Sequence, residues 1–184
     1  MGTKARDIRI THTKKSLIDA FIELANVKDF EQITILDLTE RAHVNRTTFY
    51  AHFKDKYDLL DHIIGDSASG MIEKYTANSS QEFNREIITQ LFFAVCEVNQ
   101  QPDFPCRNSY FEMIPLLKER IFNAVRDYLS KRLIGVNDES EISFYAPIYA
   151  NIVVEAGYLW TTGKLDLTKE ETAQRVTDMV VGKS

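Results

Sequence analysis

The chain has 184 residues, of which 44% are hydrophobic and 27% are charged, and its formal net charge is -5. These values are ordinary for a protein with a hydrophobic core, and 7 Gly with 4 Pro are too few for a turn-rich β-sandwich or a disordered chain. Two cysteines exclude a disulfide scaffold, and the sequence contains neither an apolar run of ~20 residues nor a signal peptide. We therefore expect a helix-rich cytoplasmic protein with no membrane span.

The charge is unevenly distributed along the chain. Residues 1–57 contain ten Lys or Arg and eight Asp or Glu, whereas residues 58–184 contain twelve and nineteen. Basic residues crowd the N-terminus, and Arg46, Lys54 and Lys56 surround a short helical segment. A mildly basic head on an acidic body favours a polyanionic partner at one end only.

The first predicted helix begins at residue 13 and ends near residues 27–30, because apolar residues recur at i, i+3, i+4 and i+7 from Leu17. A second, short helix begins after Thr34 and ends near residues 41–42. Thr34 with Asp37 three positions later forms a capping box that uses Asp in place of Glu. A tight break at residues 43–45 follows, and Asn45 is placed to cap a third helix that reaches residue 53.

The remaining chain also reads as helical, and no segment shows the alternation of a strand. Pro115 is expected to break or kink its helix, and Pro147 is tolerable only in a first turn or at a kink. The fold class is therefore all-α, with about nine helices in total. The further predicted helices span about 56–75, 83–98, 109–133, 139–162 and 168–182.

Residues 34–53 have the spacing of a helix-turn-helix, in which a second helix enters the major groove and a first helix braces it. Phe49 and Phe53 lie four residues apart and give the second helix one buried face. Its polar side chains are left to face outward, where Arg46 could bind guanine O6 and N7. A plain helical hairpin with solvated threonines remains an equally good interpretation of the periodicity alone.

The residues that decide between these interpretations run from Ile33 to Leu60. They include the pattern Thr-Phe-Tyr-x-His-Phe-x-x-Lys-x-x-Leu-Leu, which ends at Leu59-Leu60. This stretch, within about residues 10–62, resembles the DNA-binding head of the TetR family of bacterial transcription regulators. The resemblance implies a DNA-binding domain at 1–56 and a helical effector-binding and dimerisation domain at 57–184.

The resemblance also assigns roles to single residues. Thr34 would cap the second helix and touch phosphate, Tyr50 would contact the backbone, and Lys56 would grip phosphate at the start of the fourth helix. His43 stands where the family usually has glycine, which predicts a slightly strained turn. The complete set of predicted DNA contacts is Thr34, Asn45, Arg46, Thr47, Thr48, Tyr50, His52, Lys54 and Lys56.

For the body, the resemblance implies a homodimer through the last two long helices, at about 139–162 and 168–182. An apolar stripe that includes Ile148 and Ile152 is compatible with this, and Ala150, Ala156 and Gly157 are small enough for close helix approach. The alternative is that the stripe packs only within its own subunit. An effector pocket among the middle helices is predicted to be lined by Phe92, Phe93, Cys96, Phe111, Tyr149, Tyr158 and Trp160, with Glu155 as a polar anchor.

The sequence favours a regulator over an enzyme. It has no Gly-rich phosphate loop, no GxSxG elbow and no metal motif, so we expect no catalysis, no cofactor and no metal site. The hypothesis is a dimeric repressor that a small-molecule effector releases from a palindromic DNA operator. The alternative is a regulator or coactivator of the same family that is controlled by a protein partner.

Overall fold

The computed structural model describes residues 2–80, 82–100, 110–134 and 138–183, without the side chains of residues 2–11 and 110–113. The described residues form eight α-helices and one 3-10 turn, with no β-strand, and this confirms the all-α fold class. None of these helices combines the length and the apolar character that crossing a bilayer requires. The helices are α1 (Gly2–Ala25), α2 (Ile35–Arg41), α3 (Arg46–Tyr50), α4 (Lys56–Thr76), α5 (Arg85–Gln100), α6 (Tyr110–Leu133), α7 (Glu139–Thr161) and α8 (Lys169–Val181), and the 3-10 turn is Phe30–Gln32.

The chain divides into two compact units. One contains the described residues of 1–63 and 102–114, and the other those of 64–101 and 115–184. The division falls within α4, seven residues beyond the expected boundary at 56/57, because α4 continues without interruption from one unit into the other.

The core of the first unit is aromatic and aliphatic. Phe21, Leu38 and Phe49 are fully buried, and the ring of Phe21 meets Phe30 edge-on with centroids 6.0 Å apart. Helix α1 packs on α2, and α2 packs on α3. The core therefore fixes the position of α3, which is too short to be stable by itself.

Local capping determines where several helices begin. Thr34 and Thr168 each form the predicted capping box, with Asp37 and Glu171 as the reciprocal acids. Asp138 forms a third box with Glu141 at the start of α7. These side chains satisfy backbone N–H groups that have no partner within the helix.

In the second unit, α5 packs against both α7 and α8. Gly157 of α7 allows the closest approach, because a Cβ at this position would lie 2.6 Å from Cγ1 of Val95. Ala150 is fully buried as well. The small residues proposed for approach of a second subunit are therefore used, at Gly157, for packing within the chain.

Three helix predictions differ from the structure. Helix α1 begins at Gly2 rather than at residue 13, since extending an existing helix needs no apolar face. Pro115 and Pro147 lie inside α6 and α7, and neither ends its helix. Helix α3 ends at Tyr50 rather than at residue 53. The predicted turn at 135–137 and the segment around Cys106 lie outside the described residues.

Candidate nucleic-acid interface

Helices α2 and α3 form the predicted helix-turn-helix. The turn between them places His43 at φ 54°, a left-handed conformation that favours glycine. The N–H of Val44 donates to the carbonyl of Thr39 at 2.9 Å and closes the turn. The expected strain at His43 is thus present in the backbone.

Asn45 sets the start of α3. Its Oδ1 accepts from the N–H of Thr48 at 2.7 Å and from the Thr48 hydroxyl at 2.9 Å. Phe49 then points into the core and is fully buried, whereas Arg46, Thr47 and Tyr50 are exposed. The cap and the buried ring together orient the polar face of α3 outward.

Two basic side chains of this unit are available to a polyanion. Arg46 on α3 and Lys54 before α4 are both exposed, and neither has a partner within the described part of the chain. A guanidinium can form two parallel hydrogen bonds with a base edge or a phosphate, and an ammonium acts as a point charge. Their placement is suited to DNA.

The start of α2 is less open to phosphate than the sequence suggests. The N–H of Thr34 donates to Oδ2 of Asp37 at 2.9 Å, and the Thr34 hydroxyl donates to the same oxygen at 2.8 Å. These bonds, together with Lys28 at 2.9 Å, lower the pKa of Asp37 to about 2. A carboxylate therefore occupies part of this helix terminus, and only the N–H groups of Ile35 and Leu36 remain there for a phosphate.

The start of α4 is similar. The N–H of Lys54 donates to Oδ2 of Asp58 at 2.9 Å, and Asp55 accepts from the N–H of Asp58 at 2.8 Å. The side chain of Lys54 is thus available to DNA, while its backbone N–H is occupied. Asp37 and Asp58 were missed as competitors for these N–H groups, although each stands three residues after a capping side chain.

Lys56 is placed differently from the other predicted contacts. Its ammonium donates to the carbonyls of Phe30 at 2.8 Å and Glu31 at 3.0 Å, and it lies 4.6 Å from the centroid of the Phe30 ring. The side chain is only 15% exposed. In this conformation Lys56 joins the 3-10 turn to α4, and contact with a phosphate would require it to leave both carbonyls.

His52 lies beyond α3, in the turn that follows Ala51, because the helix ends at Tyr50. The placement of His52 on the recognition helix was therefore wrong. Its half-buried ring lies 6.4 Å from that of Phe53. Tyr50 keeps its predicted place and is 56% exposed.

The residues predicted to line an effector pocket are not gathered around one. Phe92 and Cys96 are fully buried, and burial raises the pKa of the Cys96 thiol to about 12. Tyr149 stacks on Phe83, with ring centroids 5.7 Å apart. The side chain of Phe111 lies outside the described residues.

The other predicted pocket residues contact lysines. Glu155 pairs with Lys118, whose ammonium lies 4.4 Å from the centroid of Tyr158. Lys169 lies 5.2 Å from the ring of Phe93 and 5.6 Å from that of Trp160. The predicted aromatic residues thus serve packing and cation–π contacts. Among the described residues, no group of three or more His, Cys, Asp or Glu side chains could hold a metal ion.

Comparison with known proteins bears on the first unit most directly. Residues 17–63 match the family model described as bacterial regulatory proteins, tetR family. An uncharacterised HTH-type transcriptional regulator of Bacillus subtilis (strain 168), YxbF, is 37% identical over 83 residues. That match covers 44% of this chain and 22% of the relative, so the chain aligns with about a fifth of the length of YxbF.

Solved structures extend the similarity to the whole fold. A TetR transcriptional regulator from Streptococcus agalactiae 2603V is 21% identical, with a TM-score of 0.54 over 97% of this chain and 99% of that one. The dihydroxyacetone kinase operon activator DhaS is 18% identical, with a TM-score of 0.54 over 92% of this chain and 94% of that one. FadR from Bacillus subtilis, in complex with stearoyl-CoA, is 15% identical, with a TM-score of 0.50 over 92% and 99%. Through its helix-turn-helix domain, the chain belongs to the TetR family of bacterial regulatory proteins.

Proposed function

We propose that the protein is a cytoplasmic transcription regulator that binds a palindromic DNA operator as a homodimer. In this proposal it is a repressor that a small molecule releases, and it is not an enzyme. One observation carries the DNA-binding part: the Asn45 cap and the buried Phe49 turn Arg46, Thr47 and Tyr50 outward on α3 of a TetR-family domain.

The chemistry of α3 suggests how the contacts divide. Arg46 is free to form two hydrogen bonds with O6 and N7 of a guanine, and the methyl group of Thr47 suits a thymine methyl. Tyr50 and the Lys54 ammonium suit phosphate oxygens, which position the helix without reading the sequence. Asn45 and Thr48 bond each other, so their contribution to DNA is through the capped terminus of α3.

The body supports a dimer through α7 and α8. Phe144 and Ile148 of α7 are 60% and 40% exposed, and Met179 of α8 is 69% exposed. Exposed apolar side chains of this size favour contact with another protein surface. A single recognition helix reads only a few base pairs, and two copies in a symmetric dimer read both halves of a palindrome.

Helix α4 supports control by an effector, because its residues 56–63 belong to the first unit and its residues 64–76 to the second. A ligand that favours one arrangement of the second unit can bias the first unit through this shared helix. FadR was solved with stearoyl-CoA, which makes a ligand a reasonable expectation for this fold. DhaS, by contrast, is named an operon activator, and this keeps open the alternative of a regulator or coactivator that a protein partner controls.

The direct test is selection of bound duplexes from a pool of random 30-base-pair DNA at low salt. We expect enrichment of a two-fold symmetric sequence whose half-sites are about one helical turn, ~10 base pairs, apart or a multiple of it. A transcription assay with the selected sequence upstream of a reporter then gives the sign of regulation. Recovery of no sequence preference would contradict the proposal, and a single unpaired half-site would contradict the homodimer.

A further inference from the structure

A cavity between α4 and α6 in the second unit has no role in the interpretation above. It measures about 200 Å³. We call it the α4–α6 cavity. Helix α4 lines it with Ser69, Ile72 and Glu73, and helix α6 lines it with Ala124, Asp127, Tyr128 and Lys131.

The hydroxyl of Tyr128 is the strongest sign that the cavity accepts a ligand. It is buried and, among the described residues, is the buried side-chain polar atom without a hydrogen-bond partner. The guanidinium of Arg132 covers the ring of the same tyrosine, 4.8 Å from its centroid. Buried polar groups in native proteins are nearly always paired, so a phenol left without a partner at a cavity wall suggests a bonding group that comes from an occupant.

The charges at the rim have opposite signs. Glu73 and Lys131 both line the cavity, and neither has a hydrogen-bond or ion-pair partner within the described ranges. Asp127, the remaining charged residue, bonds the neighbouring Arg126 at 2.7 Å. One free anion and one free cation therefore face the same space from two different helices.

From this juxtaposition we propose that the α4–α6 cavity binds a small zwitterion. Its ammonium pairs with Glu73, its carboxylate pairs with Lys131, and one carboxylate oxygen accepts from the Tyr128 hydroxyl. Ile72 and Ala124 provide an apolar surface for the carbon chain between the two charges.

The volume limits the size of the ligand. It equals about seven water molecules at ~30 Å³ each, and it is below the ~300–1,000 Å³ of pockets for drug-sized ligands. A linear amino acid with about seven non-hydrogen atoms, such as 4-aminobutanoate, matches that volume.

The test uses the full chain without DNA and isothermal titration calorimetry with 4-aminobutanoate, up to about 10 mM. The site rests on the small-molecule control proposed above, and measuring binding without DNA separates its failure from a failure of operator binding. We expect saturable binding of 4-aminobutanoate and none of butylamine or butanoate, each of which lacks one charge.

Three variants probe the three bonds. Tyr128→Phe, Glu73→Gln and Lys131→Met are each expected to weaken binding about tenfold, the effect of losing one hydrogen bond or ion pair. Glu82→Gln, which removes an exposed carboxylate outside the cavity, is the matched control and should bind like the wild type.

Tyr128→Phe also separates a ligand site from a structural role. Its hydroxyl has no partner within the chain, so the ligand-free variant should melt at the wild-type temperature or above it. A lower melting temperature, binding that any of the three variants leaves unchanged, or no binding of 4-aminobutanoate would overturn the proposal.

Discussion

The two units of the chain use their polar side chains in opposite ways. In the first unit, Arg46 and Lys54 are exposed and have no partner among the described residues. In the second, Lys118 and Lys169 are held against aromatic rings of their own chain. The contrast indicates that the first unit reserves its charge for another molecule, while much of the charge in the body stabilises the body itself.

The contrast between inward and outward residues is sharpest at two adjacent positions of α3. Phe49→Ala should lower the free energy of unfolding by about 3–5 kcal/mol, because it leaves a cavity at a fully buried ring. Tyr50→Ala, at a side chain that is 56% exposed, should change it by about 0.5 kcal/mol or less. Urea denaturation followed by circular dichroism measures both, and equal losses would contradict the assigned orientation of α3.

Lys56 tests whether a basic residue of the first unit can nevertheless serve the fold. Lys56→Met should cost about 1–2 kcal/mol of unfolding free energy, because the carbonyls of Phe30 and Glu31 lose a charged donor. The slope of log affinity against log salt for operator DNA should stay unchanged.

The matched control is Lys54→Met, which should reduce that slope by about one and leave stability nearly unchanged. A reduced slope for Lys56→Met would instead restore Lys56 to the phosphate contacts that the resemblance implies.

The capping box at α2 adds a pH dependence to the first unit. The pKa of Asp37 is about 2 in the folded chain, below the model value of 3.8, because Thr34 and Lys28 bond its carboxylate. The stabilisation is therefore complete above pH ~4 and is lost as the pH falls towards 2. Since the side chain is 26% exposed, we expect a loss of only about 1 kcal/mol.

The measurement is urea denaturation of the wild type and Asp37→Asn at pH 5 and pH 2.5. The variant should be less stable than the wild type at pH 5, and the difference should shrink at pH 2.5. A difference that is the same at both pH values would show that the carboxylate charge does not contribute.

The smallest expected effect is at the turn. His43→Gly should raise the unfolding free energy by about 0.5 kcal/mol, because glycine adopts φ 54° without steric cost but loses more entropy on folding. His43→Ala keeps the Cβ and should give no gain in thermal denaturation. A gain with alanine would mean that the imidazole, rather than the backbone, is the source of strain.

These regions also differ in how far the sequence predicted them. The caps at Thr34, Asn45 and Thr168 depend on residues three positions apart, so their pattern is visible in the sequence. The bonds of Lys56 join residues 25 and 26 positions apart, and no local pattern indicates them.

The pocket prediction failed for a related reason. Helical periodicity shows that Phe92 and Trp160 lie on apolar faces, but it does not show whether such a face meets another helix, a lysine or a ligand. The α4–α6 cavity, by contrast, is lined largely by polar residues that carry no apolar periodicity. Only the packing of the helices brings Glu73 and Lys131 to one space.

The central claim is that α3 reads DNA through its outward face, and Arg46 tests it most directly. Fluorescence anisotropy should compare the wild type and Arg46→Ala on the selected operator and on a duplex with one altered guanine in each half-site. We predict that Arg46→Ala loses about 1–3 kcal/mol per half-site on the operator and no longer distinguishes the two duplexes. If the variant loses affinity equally for both and still prefers the operator, Arg46 contacts only phosphate, and if it loses none, α3 is not the reading helix.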